Sequence, residues 1–402
     1  MREIEGGITA SRGFFATGVS CGIKKAGLLD LALVVSETEA AIAGVFTRNR
    51  VKAAPVLLCR ERVLRGKFSA LVANSGNANA CTGRRGMNDA RKMARIASQL
   101  LGRPEEQVFV ASTGVIGEPL PMEKIAQGIS LAVSGLGGGG QSEGAARAIM
   151  TTDTFPKEAA VSFTVEGTKV NIGGMAKGSG MIYPRMGTML AFLSSDASIS
   201  PALLARTLKR AVARSFNRIS VDGDTSTNDM VLAFANGFSG APRIRPASRD
   251  YQVFQEGMDQ VASALAKMIV RDGEGATKFI RIQVKGGRSE KEAEVAAFAV
   301  ANSNLVKTAF FGQDCNWGRI LSAIGSSGVK IIPEQIDLFL GPAQIVKKGV
   351  GLGRDRDQGV KEILKKREID LLIHLHQGRS QAEVWTTDLT YDYVKINASY
   401  RS

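Results

Sequence analysis

Histidine, tryptophan and cysteine are scarce in this chain: two, two and four residues among 402. The cysteines, Cys21, Cys59, Cys81 and Cys315, are scattered and form no Cys-x-x-Cys pair. Neither a disulfide framework nor a structural zinc site follows from that spacing, and free thiols in a reducing compartment are expected. His374 and His376 alternate in an apolar run, so both should face one side of a strand. A zinc pair there would need further ligands that the sequence does not supply, and no metal is expected. Aromatic residues make up 6% of the chain. They do not interleave with the basic groups Arg206, Lys209, Arg210 and Arg214, or with Lys361, Lys365, Lys366 and Arg367. A nucleic-acid platform stacks bases on aromatic rings, so the net charge of +14 is expected to coat solvated helix faces rather than to bind nucleic acid. No apolar run reaches the roughly 18 residues that span a bilayer. The first residues, Met1-Arg-Glu-Ile-Glu-Gly-Gly7, carry no apolar secretory core. No membrane association is expected, and the expected location is the cytoplasm.

What is present is an ordinary globular balance, 44% hydrophobic and 22% charged, with glycine enriched at 45 residues. Residues 31–36 and 40–46 read as apolar strands joined by a hairpin at Glu37-Thr-Glu39. A third strand, 68–73, opens into Asn74-Ser-Gly-Asn-Ala-Asn79, a polar loop of the kind that carries sites. Residues 88–101 have helical periodicity, and 108–111 form a strand leading into Ser112-Thr-Gly-Val-Ile-Gly117. The order continues as helices at 122–136, 143–150, 203–215 and 251–270, a hairpin at 161–172, and alternating strands and helices to a terminal strand at 393–397. Asp222-Gly-Asp-Thr-Ser-Thr-Asn-Asp229 reads as a site-lining loop, because it lacks the spacing and closing glutamate of a calcium loop. Val72-Ala-Asn-Ser75 recurs as Val300-Ala-Asn-Ser303, a hint of related units. Mixed order without βαβ periodicity or a dinucleotide fingerprint predicts an α/β fold of sheets flanked by helices, not a Rossmann fold.

The centre of the chain joins a glycine-rich stretch, Gly173 to Gly180, to an apolar run, Met189 to Leu193, through Gly187-Thr188. Small residues allow close approach of backbone to a ligand or to another backbone. Lys177-Gly-Ser-Gly180 lacks the frame of a phosphate loop. A threonine heading a buried strand has two readings. It is an ordinary strand residue, or it attacks the preceding carbonyl, cuts the chain by an N-to-O acyl shift and hydrolysis, and emerges with a free α-amine. That amine, of reference pKa about 7.7–8.0, can act as base to its own hydroxyl.

Lys177-Gly-Ser-Gly-Met-Ile182, Pro184, Met186 and Thr188-Met-Leu-Ala-Phe192 resemble the self-cleavage segment of the glutamate N-acetyltransferase/ornithine acetyltransferase family of arginine biosynthesis. The resemblance extends from Gly6-Gly-Ile-Thr-Ala10 to the last residue. Gly187 stands where the family commonly has alanine, and Tyr183 and Arg185 flank Pro184 where alanine and asparagine are common. The resemblance implies an α/β/β/α sandwich-like architecture of the ornithine acetyltransferase type, self-cleaved into two intertwined chains. These are an α chain, 1–187, with the oxyanion loop and cleavage segment, and a β chain, 188–402, with the N-terminal nucleophile. It implies ping-pong transfer of acetyl from N-acetylornithine to glutamate. In that reaction Thr188 is nucleophile and base, and Thr113 and Gly114 form the oxyanion hole. Thr154, Lys177, Thr188, Glu274, Asn397 and Ser402 bind substrate. Lys177 suits an α-carboxylate and, by like charge, would depress the amine of Thr188. No cofactor is needed, because the acyl-enzyme carries the group. An α2β2 heterotetramer is implied, and acetyl-CoA as a second donor is left open. The alternatives are a self-processing peptidase or amidase, in which water is the acceptor, and a basic nucleic-acid-binding protein.

Overall fold

In a computed structural model, residues 1–137, 142–183, 189–353 and 359–399 are described. The chain forms two compact units. The first comprises Met1–Asn217 and Asp224–Ile269, and the second Arg218–Gly223 and Val270–Arg401.

The first unit is built on a mixed sheet of strands β1 (Arg2–Ile4), β2 (Phe14–Val19), β3 (Leu31–Phe46), β4 (Lys67–Asn77), β5 (Val108–Val115), β6 (Lys157–Val165), β7 (Thr168–Lys177), β8 (Leu190–Ser195) and β9 (Met230–Ala235). Their order is β1-β6-β7-β8-β9-β3-β4-β5, with β2 paired to β3. Its helices are α1 (Ala54–Arg62), α2 (Gly83–Leu101), α3 (Met122–Ser134), α4 (Ser142–Ala148), α5 (Pro201–Arg214) and α6 (Arg249–Arg271), whose last residues pass into the second unit. The second unit has a six-stranded sheet of β10 (Phe279–Gly287), β11 (Asp337–Leu340), β12 (Ala343–Lys347), β13 (Val350–Gly351), β14 (Glu368–His374) and β15 (Ser380–Thr387). It carries α7 (Glu290–Ala301), α8 (Asn304–Phe311), α9 (Trp317–Gly325), α10 (Lys361–Lys365) and α11 (Tyr391–Ser399). The α/β class expected from the element order holds in both units.

Local chemistry explains the helix ends. Ser200 caps α5 by accepting from Leu203 N, and Pro201 occupies the first turn, where its missing N–H costs nothing. Leu203, Leu204, Leu208, Ala211 and Val212 then face the core. Ser289 accepts from Glu292 N at the head of α7, and Gly102 closes α2 in the left-handed conformation at φ 62°. In the core of the first unit Phe68 of β4 stacks on Phe234 of β9, ring centroids 3.8 Å apart, and Phe109 of β5 lies 6.0 Å from Phe68.

Four expectations change. Residues 31–46 form one long strand, not a hairpin: β3 pairs with β4 at Leu31–Val35 and again at Ala40 and Ala41, and a register shift between Val35 and Ala40 absorbs the polar Glu37-Thr-Glu39. Most of the glycine-rich stretch is strand, not loop, since Gly173 to Lys177 belong to β7. Its glycines serve backbone approach: a β-carbon on Gly173 would lie 1.9 Å from the Gly7 carbonyl oxygen. The terminal segment is helix α11, not a strand. The repeated Val-Ala-Asn-Ser falls in strand β4 once and at the end of helix α7 once, so it marks no structural repeat.

Candidate functional site

Strands β4 and β5 run parallel, aligning Ser75 with Thr113 and Gly76 with Gly114. Gly114 has φ 131°, and a β-carbon there would come 2.4 Å from the Gly76 carbonyl carbon, so only glycine fits. The buried Thr113 is met by Lys177, the last residue of β7, whose Nζ lies 3.4 Å from the Thr113 hydroxyl and donates to the Thr151 hydroxyl at 2.6 Å. Thr113 and Lys177, named separately from the sequence, are thus neighbours.

The anchor of this cluster is Asp153, which sequence reasoning missed. Its Oδ1 accepts from Lys157 Nζ and from Gly178 N, both at 2.7 Å, and its Oδ2 accepts from Thr151 N at 3.0 Å. Lys177 Nζ lies 3.7 Å from Oδ2. Burial alone would raise this carboxyl, but the Lys177 and Lys157 ammoniums, with the Gly178 N–H, hold it well below the usual carboxylate range. Two buried lysines meet at one aspartate. The only sequence signal was an acid set among hydroxyls in Thr151-Thr-Asp-Thr154. Thr154 itself is exposed.

Lys24 is a second residue that the sequence did not announce. Its Nζ donates to the Met150 carbonyl at 2.7 Å, and its stem packs over Gly76, beside Gly114. Burial lowers this ammonium to about 8, with the charge of Asp30, and after it that of Asp153, opposing and that of Lys177 assisting.

The asparagine-rich stretch expected as a loop is largely strand, since β4 runs on to Asn77, and its amides turn inward. Asn74 Nδ2 donates to the Asn77 carbonyl, Asn77 Nδ2 to the carbonyls of Glu118 and Pro119, and Asn79 Nδ2 to that of Gly86. These amides hold backbone in place. The 225–229 part of the polar loop before β9 joins the site: Asn228 Nδ2 donates to the Ser112 carbonyl at 2.7 Å, and Asp229 Oδ1 accepts from Met189 N at 2.9 Å.

Gly187 and Thr188 lie outside the described residues, as does Ser402. The flanks of the junction are described: Lys177 of β7 pairs antiparallel with Leu190 of β8, and Leu190 pairs parallel with Met230 of β9.

In the second unit, Asn397 Nδ2 donates to Glu274 Oε2 at 2.8 Å, so those two residues are brought together. The tight turn holding Glu274 is enforced by helix α11. Thr390 donates to the Gly275 carbonyl, and a β-carbon on Gly275, at φ 65°, would lie 2.6 Å from Tyr393 N. His374 and His376 stack at 3.7 Å, with His376 bonded to Asp337, and no group of three or more potential ligands forms a metal site among the described residues.

Hydroxyl, backbone amide and ammonium groups converging where strands end are suited to polarising a carbonyl and pairing a carboxylate, the work of an α/β acyltransferase. Residues 15–402 match the ArgJ family, and the chain belongs to that family. It is 52% identical over 404 residues, covering all of both chains, to the arginine biosynthesis bifunctional protein ArgJ of Symbiobacterium thermophilum. It is 51% identical to the protein of the same name from Geobacter sulfurreducens, over 97% of this chain and 99% of the relative. The crystal structure of arginine biosynthesis bifunctional protein argJ from Bacillus halodurans matches with a TM-score of 0.50 at 40% identity, over 52% of this chain and 98% of that one.

Proposed function

We propose that this chain is a glutamate N-acetyltransferase of arginine biosynthesis, acting in the cytoplasm as a self-processed α2β2 assembly. Family membership supports the pathway. The observation that carries the chemistry is the cluster of Thr113, Gly114 and Lys177 at the strand ends flanking the 187/188 junction. Maturation begins when the Thr188 hydroxyl attacks the Gly187 carbonyl. The C–N bond breaks, the nitrogen takes the proton that the hydroxyl lost, and water hydrolyses the resulting ester. This leaves a Gly187 carboxylate and a free Thr188 amine. Self-cleavage is supported by the solved relative, matched over 98% of its length, covering 52% of this chain. The 215 residues from Thr188 onward are a similar share of 402.

In turnover, the Thr188 hydroxyl attacks the acetyl carbonyl of N-acetylornithine, and its proton passes through the amine to the departing ornithine. The amine of glutamate then attacks the acetyl ester, and the proton it loses returns to the threonine oxygen. Thr113 and the Gly114 N–H stabilise both tetrahedral oxyanions, each donor worth roughly 3–4 kcal/mol in such sites. The buried Lys177 ammonium beside Thr113 suits the α-carboxylate common to donor and acceptor. Thr154, Glu274, Asn397 and Ser402 are the further substrate-binding residues of this reading, and no cofactor is used.

The test is acetyl transfer from N-acetylornithine to glutamate, with intact mass following the chain that begins at Thr188. One added acetyl group when donor is supplied alone, discharged by glutamate, is the expected result. Discharge by water alone at the same rate would favour the amidase reading. The name bifunctional carried by the relatives supports acetyl-CoA as a second donor, tested by the same labelling with acetyl-CoA in place of N-acetylornithine.

A further inference from the structure

Asp229 is fully buried at the head of β9, and one of its carboxyl oxygens, Oδ2, has no hydrogen-bond partner among the described residues. Its other oxygen takes the N–H of Met189, the residue that follows Thr188. Asn228 beside it is 4% exposed and spends both its Nδ2 hydrogens on carbonyls of other strands and loops, Ala78 at 2.6 Å and Ser112 at 2.7 Å. Ser112 precedes Thr113. The backbone of the same loop is fastened elsewhere: Thr47 N donates to the Asp229 carbonyl, Ala53 N to that of Thr227, and the Thr47 hydroxyl to that of Ser226. Two adjacent side chains on a tethered loop therefore reach the nucleophile strand and the oxyanion strand, which are not neighbours in the sheet.

We propose that Asn228 and Asp229 form a clamp that positions the nucleophile, Asp229 through the amide of Met189 and Asn228 through the carbonyl before Thr113. The proposal rests on the acyl-threonine reading above. Reacting atoms must sit within about 3–3.5 Å and aligned, and a displacement of 1 Å can cost on the order of 100-fold in rate. β8 and β5 are separated in the sheet by β9, β3 and β4, so strand pairing alone sets their relative position only through four successive registers. The clamp spans that gap with two side chains. Burial drives the Asp229 carboxyl well above its ordinary value, opposed by the Met189 N–H, by the hydroxyls of Thr47 and Ser226 and by the charge of Lys177. What Met189 N meets at 2.9 Å is one carboxyl oxygen, so the contact asks for an acceptor of this size at this place. An amide of the same size should therefore replace it, whereas a longer acid should not.

The experiment ranks three substitutions by the rate of acetyl-enzyme formation per cleaved chain, counting cleaved chains by intact mass, together with KM for N-acetylornithine. Asp229→Asn keeps an oxygen for Met189 N and should stay close to wild type, with unchanged or higher Tm. Asp229→Glu and Asn228→Ala should lose on the order of 100-fold in that rate, with KM little changed. A merely structural role would lower Tm and the yield of cleaved chain, yet leave the rate per cleaved chain intact. An active Asp229→Glu beside an inactive Asp229→Asn would overturn the clamp, because the charge would then be what matters. So would failure of Asp229→Asn to fold, or a loss in KM alone. Wild-type enzyme that transfers no acetyl group would defeat the underlying reading instead, independently of the ranking.

Discussion

The two lysines on Asp153 form a buried network in which every member depends on the others. Removing one partner of such a pair typically costs about 3–5 kcal/mol, because the charge left behind stays buried. Asp153→Asn should therefore lower Tm at neutral pH. The depressed carboxyl contributes stability that is fully present above its unfolded pKa of about 3.9 and is lost as pH falls toward its folded value. The Tm gap between wild type and Asp153→Asn should accordingly narrow between pH 5 and pH 3, read by thermal melts across that range; a constant gap would mean that the carboxyl is not held low. Lys24 makes a prediction in the other direction. An ammonium of about 8 loses its charge as pH rises through that value, so KM for glutamate should climb between pH 7 and 9 in wild type. In Lys24→Met it should be higher at pH 7 and flatter across the range. For the nucleophile, Thr188→Ala should fold, remain a single chain and transfer nothing, whereas Thr188→Ser should cleave and turn over slowly, since only the methyl that restricts χ1 is lost. Substantial transfer by Thr188→Ala would remove Thr188 from the chemistry.

Helix α11 shows what an element near a chain end can be asked to do. It buries no residue of its own, and Tyr391 is 83% exposed. By general rules such a segment is dispensable. Yet its first turn lies against Gly275, and Asn397 holds Glu274. Asn397→Ala would leave the Glu274 carboxylate without that donor, and since the bond is exposed a loss of about 0.5–1.5 kcal/mol should appear as a parallel rise in KM for N-acetylornithine and for glutamate. Unchanged KM for both would place the helix outside the site. Deep in the first unit the opposite situation holds. Phe234→Ala opens a cavity beneath the stacked Phe68 and should cost about 3–5 kcal/mol, with the rate per folded enzyme little altered.

For the molecule as a whole, the junction at 187/188 and the compact units are different divisions. β7 and β8, on either side of the junction, pair along six residues, and β9 pairs with β3 from the first part of the chain. A cut between them leaves one nine-stranded sheet made from both pieces. Denatured protein should therefore give two chains, the larger beginning Thr-Met-Leu-Ala-Phe, while native chromatography gives one species containing both. Separation of the chains without denaturant would contradict the shared sheet.

The sequence alone determined the class of the fold and the apolar strand read from the run Met189 to Leu193, and it pointed to Lys177 and Thr188 as candidate site residues. These rest on local periodicity and on a contiguous motif, both of which survive in one dimension. Thr113 was legible only through the family resemblance, since a strand ending in Thr-Gly is common by itself. The partners of these residues were not. Asp153 and Lys24 were not announced, and Asn228 and Asp229 were marked only as part of a site-lining loop whose contacts, up to about 150 residues away along the chain, sheet order alone brings together. The hairpin expected at Glu37-Thr-Glu39 failed because strand pairing on both flanks of β3 outweighed the turn propensity of three polar residues. The terminal segment became a helix because its backbone is capped and crowded by the Thr390 and Gly275 turn rather than offered a sheet edge. Which residues are chemically able was written locally, and which of them meet was decided by tertiary pairing, because charge, burial and distance are properties of neighbours in space.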